Sequence, residues 1–115
     1  MNIIVSNPVN VTGPNVTFVL DDQGSAFVSM TLCIGTNPPI KHDEGYQGSR
    51  QSTIQLTPGT YACSLLIIAY SYGALGPVYA STVTANNAPV ASANGSIPKG
   101  QPTDQDYVGF QLIVA

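Results

Sequence analysis

The stretch LTPGTYACSLLIIAYSYGALGPVYASTVTA, Leu56–Ala85, holds the reading on which the fold turns. Within it TYACSLLIIAY alternates with period two. Tyr61, Cys63, Leu65 and Ile67 share one face, and Leu66, Ile68 and Tyr70 the other. Apolar residues on both faces predict a strand in the middle of a sheet. SYGALGP, Ser71–Pro77, is a glycine-rich reversal, and VYASTVTA, Val78–Ala85, alternates again with small polar residues, so the two runs are expected to form a hairpin.

Working outward, Val16, Phe18 and Leu20 alternate with Thr17 and Val19. DDQGS, Asp21–Ser25, supplies turn chemistry before AFVSMTLCI, Ala26–Ile34, and a first hairpin is expected there. Val28, Met30, Leu32 and Ile34 make the core face of this run, with Phe27, Ser29, Thr31 and Cys33 opposite. GTNPPIKHDEGYQGSR, Gly35–Arg50, lacks sustained periodicity and carries Pro38 and Pro39, so it is expected as a long loop or at most a short edge strand. STIQL resumes strand character. After Ala85 the chain is rich in Asn, Ser, Gly and Pro, with only a weak strand at PVASA. DYVGFQLIVA closes it, placing Val108, Phe110, Leu112 and Val114 on one face.

Nine scattered prolines leave no stretch of helical period. The 115 residues predict one all-β domain, residues 1–115, with about seven to eight strands. A single antiparallel sheet would leave one apolar face bare. The expected architecture is therefore an antiparallel two-sheet sandwich, immunoglobulin-like or a jelly roll.

Leu56, Pro58, Gly59 and Tyr61 carry a resemblance. Leu56–Ala85 resembles the last hairpin of fibronectin type III and other immunoglobulin-like modules, in which a Leu-x-Pro-Gly corner precedes a tyrosine at the start of a strand. The resemblance implies that the Tyr61 hydroxyl bonds back to the corner while its ring packs in the core. The chain departs from it in having no tryptophan, a corner one residue shorter, and thirty further residues that leave room for an extra strand or a jelly roll. No Arg-Gly-Asp tripeptide is present, so integrin-type adhesion does not carry over.

Only 8% of residues are charged, against about 25% in ordinary globular proteins. Lys41, Arg50 and Lys99 are the only permanent cations and the net charge is -3, so neither nucleic acid nor an anionic membrane is expected as a partner. The longest apolar run, LLIIAY, is far short of the roughly 20 residues that span a bilayer. MNIIVSNPVN lacks the basic start and long apolar stretch of a secretory signal, so the sequons at Asn10, Asn15 and Asn94 are read as a by-product of Asn and Thr abundance.

KHDEGYQGSR, Lys41–Arg50, gathers four of the nine charged residues and the single histidine. His42 has no second histidine to work with, and Asp43 and Glu44 are neighbours in sequence rather than a facing carboxylate pair. No catalysis is expected, and the window reads as a solvated loop suited to directional contacts. One histidine and two cysteines thirty residues apart show no zinc spacing. Cys33 and Cys63, on opposite faces in this register, are expected as unlinked thiols. Asp21 with Asp22 and Asp104 with Asp106 read as turn aspartates rather than calcium ligands. No metal or cofactor is expected.

A neutral, polar, non-catalytic β domain is similar to the small immunoglobulin-like or jelly-roll proteins that bacteriophages set on their heads as decoration, or cement, proteins. That similarity implies a virion structural protein on the capsid exterior, homo-oligomeric and often trimeric, bound to the major capsid protein. Lys41, Asp43, Glu44, Tyr46 and Arg50, with the N-terminal stretch MNIIVSNPVN, are the expected partner contacts. The alternative is a tail, fibre or cell-surface sandwich that binds glycans through Tyr46, Tyr72 or Tyr79.

Overall fold

The computed structural model of the chain describes all residues except Asn37, Tyr46 and Gln47, and side chains outside 41–49. Among the described residues the fold is all-β. Its ten strands are β1 (Ile3–Val5), β2 (Val9–Val11), β3 (Asn15–Asp22), β4 (Phe27–Ile34), β5 (Ile40–Gly45), β6 (Gly48–Gln55), β7 (Gly59–Tyr70), β8 (Val78–Ala85), β9 (Ala88–Ser96) and β10 (Thr103–Val114). They form two five-stranded sheets, β1-β9-β8-β3-β6 and β2-β10-β7-β4-β5, packed into a sandwich. The molecule measures 45 × 22 × 20 Å.

Period-two patterning places the core. Val16, Phe18 and Leu20 of β3 and Val83 of β8 meet Val28, Met30, Leu32 and Ile34 of β4, Leu65 and Ile67 of β7 and Leu112 of β10, all essentially inaccessible. β7 is the middle strand of its sheet, flanked by β4 and β10, as its two apolar faces require. Cys63 takes the inner face opposite Ile34, whereas Cys33 takes the outer face opposite Ser64; both thiols are free.

Two expected hairpins are not hairpins. β3 and β4 lie in different sheets, and so do β7 and β8, so DDQGS and SYGALGP carry the chain across the sandwich. At the first crossing Gly24 passes so close to β8 that an added Cβ would clash with the Val78 carbonyl oxygen. The main chain then locks on, with Ala26 N–H donating to Val78 O at 2.8 Å. Turn residues mark a reversal; they do not say whether the next strand pairs with the last one or faces it.

The hairpins formed are β4–β5 and β8–β9. PVASA belongs to the nine-residue β9, joined to β8 through Asn86 and Asn87, whose φ angles of 47° and 66° suit a two-residue hairpin turn. Of the two expectations for Gly35–Arg50 the short edge strand holds, and the solvated-loop reading of Lys41–Arg50 is corrected. Ile40–Gly45 is an edge strand in register with β4, and Gly48 begins β6. The N-terminal stretch supplies β1 at the end of one sheet and β2 at the end of the other. These three short strands raise the count above the expected seven to eight.

Direction separates the two sandwich alternatives. A jelly roll sets its first and last strands side by side and antiparallel, but here β1 and β10 lie in opposite sheets and β10 runs parallel to β2. If the β8–β9 hairpin is set aside, β1 falls antiparallel to β3, and β3 pairs antiparallel with β6. Against them stands β10-β7-β4-β5, which is the immunoglobulin-type order with one hairpin inserted. The corner lies where that order requires it, between β6 and β7. The Tyr61 hydroxyl donates to the Thr57 carbonyl at 2.6 Å, and the half-buried ring packs on the core.

Candidate functional site

The charge-bearing window becomes one side of the sandwich. β5 ends one sheet and β6 ends the other, and the chain passes from one directly to the other. Lys41, Asp43 and Glu44 pair with Cys33, Thr31 and Met30 of β4, and Arg50 pairs with Leu20 of β3 and is exposed. Four of the expected contact residues thus stand on adjacent terminal strands of the two sheets. Tyr46 lies outside the described residues. A strand that ends a sheet offers one row of backbone N–H and C=O groups outward, so this side combines main-chain pairing capacity with four of the chain's nine charged residues.

The N-terminal stretch is docked more firmly than a free contact arm. Val9 and Val11 are buried, and the Asn7 side chain accepts from Gln111 N–H at 3.0 Å. The Met1 ammonium lies 2.8 Å from Asp104 Oδ1. Ile4 remains exposed at 73%.

Two of the aspartates paired in sequence are structural, with opposite electrostatics. Burial would raise the Asp104 carboxyl, but the Met1 ammonium and the Tyr79 hydroxyl outweigh it and hold it below its usual value. Tyr79 is not a surface aromatic. It is 4% exposed and donates to Asp104 Oδ2 at 2.8 Å; burial, then the bond and charge of Asp104, push its hydroxyl up to about 12. Asp22 is 4% exposed, and its Oδ1 accepts from Gly24 N–H at 3.2 Å and Ser81 Oγ at 3.3 Å, while Oδ2 has no partner. Desolvation prevails there and raises the carboxyl. Burial likewise pushes the Cys63 thiol up to about 11, which suits a packing group rather than a nucleophile. Among the described residues no cluster of three or more His, Cys, Asp or Glu is placed to hold a metal ion.

Tyr72 is where sequence reading named one residue of a larger group. It is 70% exposed, and its ring meets Phe27 edge-on at 5.1 Å between centroids and stacks on Tyr70 at 5.6 Å. Phe27 and Tyr70 are cross-strand partners in register. The signal was present in the alternation, which put both on outer faces, but only pairing shows that they share one. No family model, no curated protein and no solved structure matches the chain.

Proposed function

We propose that this chain is a non-enzymatic viral structural protein: a bacteriophage head decoration protein that seats on the capsid exterior as a homo-oligomer, a trimer in the simplest case, and bridges neighbouring major capsid subunits. The observation that supports it is the β5/β6 side, where Lys41, Asp43, Glu44 and Arg50 gather in a chain with nine charged residues in all. Edge strands give directional main-chain hydrogen bonds, and the local charges select the register and partner. A symmetric lattice repeats each contact, so modest single affinities suffice through high effective concentration.

Particles lacking the protein should bind it to saturation at a stoichiometry set by the shell. The Lys41→Glu, Arg50→Glu double variant, folded by circular dichroism, should bind at least about tenfold more weakly. Binding that never saturates, no binding, or a double variant equal to wild type would defeat the proposal.

A further inference from the structure

The outer face of the sheet built on β7 carries a second feature, distant in kind from the charged side. Read across β4, β7 and β10, three successive rows are Phe27–Tyr70–Thr103, Ser29–Ile68–Gln105 and Thr31–Leu66–Tyr107. None of these nine positions is charged. Phe27 and Tyr107 are exposed, Ile68 and Leu66 form a half-buried floor between them, and Ser29 and Gln105 flank that floor. The Tyr70 hydroxyl lies 3.4 Å from Ser29 Oγ.

Tyr72 reaches this face from the Ser71–Pro77 turn. Its φ is +47° and that of Gly73 is +82°, with Ala74 N–H bonded to Ser71 O at 2.9 Å. A turn with two positive φ angles is easy for Gly, Asn or Asp and unfavourable for a tyrosine. The chain therefore holds an exposed aromatic ring in a disfavoured backbone conformation, against two further rings. A cleft of about 310 Å³, lined by Ser71, Gly73, Leu75 and Gln101 among others, flanks the same turn. With about 3.4 Å per residue, the row of Tyr107 lies roughly 14 Å along the strands from the ring cluster.

We propose that this strip binds a neutral oligosaccharide, with sugar rings stacked at Tyr72 and Tyr107 and Ser29 and Gln105 bonding the hydroxyls between them. The C–H face of a pyranose complements an aromatic face, and its uncharged hydroxyls need neutral donors and acceptors, which these amide and hydroxyl side chains are. An acidic ligand would find no countercharge on the nine positions, and the charge nearest to them in register is Asp43, the β5 partner of Thr31. A second copy of the chain would bury a continuous apolar centre, but here the aromatic ends are separated by a row with polar flanks. This inference goes beyond the decoration reading, since binding to particles is measured without sugar and either can fail alone.

Cellotetraose, maltotetraose and mannotetraose, with an alginate tetramer as anionic control, can be titrated while tyrosine fluorescence and amide NMR shifts are followed; with no tryptophan in the chain the tyrosine signal is unmasked. At least one neutral sugar should bind saturably at about millimolar Kd or tighter, shifting the amides of Phe27, Ile68, Gln105 and Tyr107. Tyr72→Ala and Tyr107→Ala should each weaken it about tenfold while both variants stay folded by circular dichroism, and Tyr72→Phe should keep most of the affinity. The proposal is overturned if all three neutral sugars leave these amides unmoved or the alginate tetramer binds more tightly. It is equally overturned if sedimentation shows a dimer that Tyr107→Ala dissolves, because a second copy is then the occupant.

Discussion

At Asp104 and Asp22 the same side chain has opposite effects on stability. The folded Asp104 carboxyl is held below its unfolded value, so its contribution is present above that unfolded value and is lost as pH falls through the folded one. Asp104→Asn should destabilise the protein by about 1–2 kcal/mol at pH 7, and the difference from wild type should narrow toward pH 2 as the carboxylate takes up its proton. Asp22 is the reverse. Its folded value is raised, so the favourable contribution is present below the unfolded value and is lost as pH rises through the folded one. Asp22→Asn should therefore stabilise by about 1 kcal/mol at pH 7, with the gain vanishing in acid. Urea titrations of both variants at the two pH values test the signs together; equal shifts of the same sign would refute this account.

Among the elements, the β8–β9 hairpin depends on one residue in its turn. Asn86 Oδ1 accepts from Thr17 N–H at 2.8 Å, and Nδ2 donates to Thr12 O and Asn15 O, both at 3.1 Å, while its own N–H continues the ladder to Thr17 O. The positive-φ residue that closes the inserted hairpin thus also fastens the crossing from β2 to β3. Asn86→Gly keeps the backbone conformation and loses the side-chain bonds, an expected cost of about 1–2 kcal/mol; Asn86→Ala adds the φ penalty and should cost about 1 kcal/mol more. Equal stabilities for the two variants would show that φ is not a constraint there. Asn-Asn between two alternating runs was a legible hairpin signal, yet it was submerged in a segment whose Asn, Ser and Gly content reads as loop. The Leu56–Tyr61 corner was legible in full, because a tyrosine corner is a local motif whose hydroxyl reaches back only four residues.

Across the whole molecule, the arrangement of layers sets where the fold opens. β7 is covered on one face by the core and bounded by strands on both sides, whereas β1, β2, β5 and β6 end their sheets. Hydrogen exchange should find the central β7 amides the slowest, near the limit of global unfolding, and those of β5 at least about a hundredfold faster. Slow exchange across β5 in the isolated protein would mean that this side is already covered in solution.

Local alternation by itself determined which residues face inward, and so the sandwich class, because a strand's period of two does not depend on its partners. Val28 to Ile34, Leu65 and Ile67, and Phe110 to Val114 were all readable in this way. The sheet that each strand joins was decided only by the tertiary structure. DDQGS and SYGALGP satisfy a reversal equally well as a hairpin or as a crossing, and the choice rests on contacts with strands distant in sequence. For the same reason Lys41–Gly45 appeared as loop until register with β4 made it an edge. The aromatic group was hidden too, since Phe27 and Tyr72 stand far apart in the chain and meet only because β4 pairs with β7.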